Sequence, residues 1–128
     1  MKCVKFIEDM GEHNDFGKLG EEKAMNFLTK NGYIIKSKNY RYLKAEIDII
    51  AQKENVLAIV EVKSRSSMFI EHIAQTVNQK KINLLVAAAN NYIVEKDIDV
   101  DVRFDIITVL KKGKVFKLEH LKNAFYHF

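Results

Sequence analysis

No proline occurs among the 128 residues, and only five are glycine. Without these punctuators the elements should be continuous and their connections short, and no linker, repeat or biased segment divides the chain. The single cysteine, Cys3, excludes an internal disulfide, and a zinc site would lack ligands. Cys3 also has no basic neighbour fixed by a helix, which argues against a nucleophilic role. The longest apolar runs, residues 56–60 and 84–89, fall far short of the ~20 residues a bilayer span needs. Residues 1–10 mix Lys2, Lys5, Glu8 and Asp9 among apolar neighbours and so lack a signal-peptide core. There is no glycine-rich phosphate loop or dinucleotide fingerprint. His13, His72, His120 and His127 show no ligand spacing. Asp97, Asp99 and Asp101 read as a wet strand face, without the glycine and closing glutamate of a calcium loop. These absences point to a soluble, cytoplasmic protein with no membrane partner.

What is present suits one globular domain. The chain is 48% hydrophobic and 30% charged, and its length can hide roughly two thirds of the unfolded surface. Lys plus Arg number 21 and Asp plus Glu 17, a net charge of +4 that permits nucleic-acid binding without demonstrating it. Acidic residues gather over 95–105 and basic ones over 36–44 and 111–117, which suits a basic face with a separate acidic edge.

Periodicity supplies the elements. Residues 1–14 lack a clear period and read as an N-terminal arm or short appended element, with 15–128 as the single domain. From Asp15, or Asn14, as N-cap, a helix carries an apolar stripe of Phe16, Leu19, Gly20, Ala24, Phe27 and Leu28, and Gly32 supplies its left-handed stop. Glu21 flanks the stripe and Glu22 faces away from it. Gly17 and Gly20 each cost about 1 kcal/mol against alanine in a helix, so a close approach is expected at that surface. Strands follow at 33–38, 45–51 and 56–63, the last two joined as a hairpin through 52–55. A long helix over 71–95 buries Ile73, Val77, Leu84, Leu85, Ala88 and Tyr92. Strands at 100–110 and 115–118 and a last helical turn at 120–125 complete the chain. The order α-β-β-β-α-β-β is that of an α/β domain, a mixed sheet flanked by helices.

Chemistry concentrates in residues 46–65. Alternation puts Glu46, Asp48 and Ile50 on one face of their strand, with Ile47, Ile49 and Ala51 on the other. In the next strand Leu57, Ile59, Glu61 and Lys63 share a face. A segment apolar on both faces except at Glu61 is a central strand, where a charge is expensive without a partner or a metal. The hairpin can bring Asp48 to Glu61 and Lys63. Two carboxylates there can share Mg²⁺ (or Mn²⁺), with the Val62 carbonyl as a further ligand and Glu21 completing the acidic cluster. Lys63 can then orient a water against phosphorus or stabilise developing negative charge. The same residues can equally make a rim salt bridge, worth ~0–1 kcal/mol. Lys81 interrupts the apolar stripe of the second helix. It either snorkels to the surface or points its ammonium at the acidic site or a phosphate. Arg41 and Arg65 flank the two strands and can clamp phosphates.

Residues 17–125 resemble the YraN family of small bacterial proteins. The matching segments are Gly20-Glu21 with Ala24, Asn31-Gly32-Tyr33, Asn39 with Arg41, Glu46-Ile47-Asp48-Ile49-Ile50-Ala51, Val60-Glu61-Val62-Lys63 with Arg65, Val77 with Lys81, Arg103-Phe104-Asp105, and Asn123-Ala124-Phe125. Ala45 departs from the glycine the family usually carries before Glu-Ile-Asp, which removes no ligand. The resemblance implies a restriction-endonuclease-like fold related to archaeal Holliday-junction resolvases. It implies a metal-dependent nuclease site of Glu21, Asp48, Glu61 and Lys63, the four residues the strand and helix patterns single out.

Three functions follow as expectations. The first is a Mg²⁺-dependent endonuclease hydrolysing phosphodiesters, with DNA as the expected polymer and branched structures within its range. The second is a non-catalytic nucleic-acid-binding protein with the same fold, and the third an interaction protein whose acidic cluster is an ion-pair network. Symmetric cutting of a two-fold junction would call for a homodimer, for which the sequence names no interface.

Overall fold

The structure is a computed structural model that describes residues 2–66 and 77–125, with side chains from Phe16 onward. A first helix, α1 (Lys2–Lys30), is followed by three strands, β1 (Ile34–Tyr42), β2 (Ala45–Lys53) and β3 (Val56–Arg65). A second helix, α2 (Gln79–Lys96), leads to β4 (Asp101–Lys112) and β5 (Val115–Leu121). The strands form one sheet in the order β1-β2-β3-β4-β5. The first three are antiparallel neighbours, β4 lies parallel to β3, and β5 returns antiparallel. This is the mixed sheet expected, in the expected order. No helix among the described residues is long and apolar enough to cross a membrane.

Each face of the sheet carries one helix and one core. On the α2 side Ile47, Ile50, Leu57, Ile59, Phe104 and Ile106 pack under Ile82, Leu85, Ala88 and Tyr92. On the α1 side Ile49, Ala58, Val60, Ile107 and Val109 pack under Ala24 and Leu28. β3 contributes to both cores, as its doubly apolar sequence requires. α1 ends where expected: Gly32 takes φ +89, and the Tyr33 N–H reaches back to the Leu28 carbonyl at 2.9 Å. Of Gly17 and Gly20 only Gly20 meets a close approach. A Cβ there would lie 1.9 Å from Ser64 Oγ, whereas one at Gly17 would meet nothing within 4 Å. Gly20 therefore sets how closely α1 lies on the end of β3.

Several expectations are corrected. α1 runs unbroken through Asp15, so no cap stands there. The helix expected over 71–95 starts only after Asn78, whose side chain accepts the Lys81 N–H and caps α2. The expected positions 71–76 lie outside the described residues. The C-terminal segment makes no helical turn over 120–125. β5 continues through His120 and Leu121, after which the Ala124 N–H bonds to the Phe104 carbonyl and Phe125 packs on Phe104.

Arg103 and Asp105 alternate with Phe104 and Ile106 and so share the opposite face of β4. Asp105 is fully buried on the α1 side. Arg103 Nε and Nη2 donate to its two oxygens at 2.8 Å each, His120 Nε2 lies 2.8 Å away, and the Asn123 N–H donates at 3.0 Å. Arg103 also donates to the Tyr33 hydroxyl. The cluster ties the end of α1, β4, β5 and the chain beyond β5 into one unit. Burial pushes the Asp105 carboxyl up, but its bonds to His120, Arg103 and the Asn123 N–H outweigh that, and its pKa is lowered. Its ionised form thus stabilises the fold above the ordinary aspartate range, and this contribution is lost as pH falls through the depressed value. Asp105→Asn should destabilise the protein by about 3–5 kcal/mol at pH 7, since it strands the Arg103 charge. Urea unfolding should show the gap between variant and parent narrowing below about pH 4.

Candidate metal centre

The site begins with a break in the β2 pattern. Ala45 and Ile47 join the α2-side core, but so does Ile50, while Ile49 and Ala51 join the α1-side core. The expected sharing of one face by Ile47, Ile49 and Ala51 is thus overturned. The alternation breaks between Ile47 and Ile49, at Asp48, while β1 and β2 keep their one-to-one register at that level. Opposite it on β1, Asn39 adopts φ 52, so the neighbouring strand bends at the same level. Asparagine is among the few residues that tolerate this conformation.

The paired ladder between β2 and β3 runs only as far as Ile49 opposite Val60. Beyond it the Asp48 side chain takes over the bonding, Oδ2 accepting the Val62 N–H at 2.8 Å. This anchors the carboxyl where the strands part, beside Glu61, the next residue of β3. Glu61 is 5% exposed. Its Oε2 pairs with the Lys81 ammonium of α2 and lies 3.4 Å from Lys63 Nζ.

Asp48 and Glu61 are hydrogen-bonded to each other through their carboxyl groups. Two buried carboxyls in contact cannot both ionise cheaply. Burial and the Glu61 charge push Asp48 up to about 8, against the Val62 N–H bond. Burial raises Glu61 too, but hydrogen bonds from Asp48 and Lys81 and the charges of Lys81 and Lys63 outweigh it, so its pKa is lowered. At neutral pH the shared proton therefore resides on Asp48 and the negative charge on Glu61. Glu21, on α1, is raised by partial burial and by the carboxylates of Glu46 and Glu61, while Lys38 and a hydrogen bond from Asn39 draw it down.

Asp48, Glu61, Lys63 and Lys81 thus come together. Glu21 is close enough to feel both acids, but it does not close a ligand cluster with them. Among the described residues no three His, Cys, Asp or Glu side chains gather tightly enough to hold an ion. The two carboxyls offer oxygen donors alone, which suits a hard divalent cation that keeps several waters. Of the two arginines expected to clamp phosphates, Arg41 pairs with Glu46 at 3.0 Å and Arg65 donates to the Ser64 carbonyl at 2.9 Å. Asn39 was legible only as part of a family match. An asparagine in mid-strand was the signal for a kink, and its bond to Glu21 had none.

The pair makes stability depend on pH in a definite direction. Asp48 binds its proton more tightly folded than unfolded, so its contribution is complete below about pH 4 and is lost as pH rises through about 8. Asp48→Asn replaces the shared proton with an amide donor and should remove that loss. Thermal melts in EDTA should show the parent falling relative to the variant between pH 5 and about 8.

Residues 20–109 match the model of a family described as uncharacterised protein family UPF0102. A UPF0102 protein of Flavobacterium psychrophilum is 55% identical over 119 residues, covering 93% of this chain and all of that protein. One of Flavobacterium johnsoniae is 51% identical over 123 residues, again 93% of this chain and all of the relative. One of Bacteroides thetaiotaomicron is 46% identical over 117 residues, covering 91% of this chain and 97% of the relative. The matched span contains Glu21, Asp48, Glu61, Lys63 and Lys81. The resemblance drawn from the sequence is therefore established, and the chain belongs to the UPF0102 family, the YraN proteins.

Proposed function

We propose that the protein is a divalent-metal-dependent nuclease that hydrolyses phosphodiester bonds, with DNA as the favoured polymer. The observation that carries this reading is the buried Asp48–Glu61 contact flanked by Lys63 and Lys81. A pair of acids pressed together until one keeps a proton near pH 7 is poorly satisfied without a cation. Asp48 and Glu61, with the Val62 carbonyl, would hold Mg²⁺ or Mn²⁺. When bound, the ion supplies Lewis-acid charge to the phosphate and lowers the pKa of a water.

The remaining roles fall to the chain itself. Lys63, only 17% exposed, is positioned to stabilise the negative charge that grows on the phosphoryl oxygens as water attacks. Lys81 keeps Glu61 ionised and in place. Glu21, held above the ordinary glutamate range, stands near enough to take up the proton of the attacking water or to support a second cation. The bond to phosphorus forms from the water oxygen, the bond from phosphorus to the departing ribose or deoxyribose oxygen breaks, and that oxygen takes its proton from solvent water.

One observation favours the non-catalytic reading: Glu61 is already satisfied by two ammonium groups, as in an ion-pair network. The two readings separate on cleavage. On a panel of duplex, single-stranded and junction DNA, Asp48→Ala and Glu61→Ala should each lower whatever Mg²⁺-dependent cleavage the parent shows at least about 100-fold while circular dichroism remains unchanged. Binding that weakens steeply with salt, with no cleavage by the parent in Mg²⁺ or Mn²⁺, would favour the binding protein.

A further inference from the structure

A groove of about 370 Å³ opens between the β1–β2 turn and the first turns of α2. It adjoins the carboxyl pair, because Lys81 both lines it and reaches Glu61. Its floor is apolar, made by Ala45, Leu84 and Leu85, and its rim carries Lys44, Lys80 and Lys81. Two of the charges that line it are already committed, Lys81 to Glu61 and Glu46 to Arg41. Lys44 and Lys80 have no ion-pair partner among the described residues. Two uncompensated ammonium groups above an apolar floor suit a ligand that is flat and apolar at one end and anionic at the other. The volume lies at the lower end of ligand pockets, ~300–1,000 Å³, and is too small for a duplex.

We infer that this groove seats one unpaired nucleotide beside the phosphodiester presented to Asp48 and Glu61. Its base lies over Leu84 and Leu85, and its phosphate rests on Lys44 and Lys80. The inference rests on the nucleic-acid reading above and narrows its substrate class. A base inside a duplex cannot reach such a groove without leaving its stack, which is easiest at an overhang, flap, bulge or junction. Leu43, beside Lys44 at the tip of the turn, is 84% exposed and held at φ 55. An apolar side chain projected from a hairpin tip next to a basic groove can pack on the base left without a stacking partner. Nucleic acid with unpaired nucleotides is therefore the substrate, and a continuous blunt duplex is not.

The test is binding in EDTA, so that it does not depend on cleavage. Fluorescence anisotropy compares a duplex bearing a short single-stranded overhang with a blunt duplex of equal length. The parent should favour the overhang by about tenfold, and Lys44→Ala/Lys80→Ala should abolish that preference with a shallower salt dependence. Both lysines are exposed at the groove rim, and an unchanged melting temperature will show that the variant folds. Titration with thymidine 5′-monophosphate should shift the backbone amides of residues 44–46 and 84–85 in the parent and not in the variant. Equal binding of the two duplexes by the parent, a preference that survives in the variant, or shifts confined to other residues would each overturn the inference. Cleavage that depends on Asp48 without any overhang preference would overturn the groove and leave the nuclease reading standing. Overhang preference without cleavage would do the reverse.

Discussion

Two carboxyl groups, Asp48 and Glu61, lie in contact in a largely water-excluded notch where the central strands separate. Such a pair is tolerated only if one acid keeps a proton or a cation intervenes. Here the chain supplies a partial answer, with Lys81 and Lys63 on Glu61 and the Val62 N–H on Asp48. The balance leaves Asp48 protonated near neutrality. A rim salt bridge would not need this arrangement. An exposed pair is worth ~0–1 kcal/mol, whereas burying opposed acids costs more than it returns.

The rest of the fold can be understood as holding that notch open. The break in alternation at Asp48 and the left-handed Asn39 opposite it lie at the level where β2 stops pairing with β3. The parallel β3–β4 ladder continues from Val56 past Glu61 to Arg65, keeping the Glu61 backbone fixed while its side chain turns to α2. On the opposite face Gly20 lets α1 lie against Ser64, which brings Glu21 into the field of the two acids. The buried Asp105 cluster braces β4 and β5 on that same face, one strand away from Glu61. The groove lined by Lys44 and Lys80 adjoins the notch through Lys81, which lines the one and pairs with Glu61 in the other.

Much of this was legible in the residues, and the exceptions share a cause. The central strand showed itself because apolar side chains on both faces of residues 56–62 leave no solvent face, so Glu61 stood out as an anomaly. Lys81 stood out in the same way on its helix, and its ammonium does turn to the acid. Gly32 marked a helix stop because only a left-handed residue closes that motif. Period counting failed where the strand breaks its period: Ile47 and Ile49 lie on opposite faces, on either side of Asp48 and level with the left-handed Asn39 of β1. For Asp105 alternation gave the side chain's direction, but it cannot show that Arg103, His120 and a backbone N–H will meet it there. The start of α2 was misplaced because a helical stripe extends past a cap on paper, whereas Asn78 ends it through a bond no periodicity reveals.

The most direct measurement is anomalous diffraction from crystals soaked in Mn²⁺ near pH 8, with Asp48→Ala crystals beside them. The proposed function predicts a peak between the Asp48 and Glu61 carboxylates in the parent, with Lys81 drawn off Glu61, and none in the variant. A parent that shows no peak at saturating Mn²⁺, with Lys81 still seated on Glu61, would contradict it.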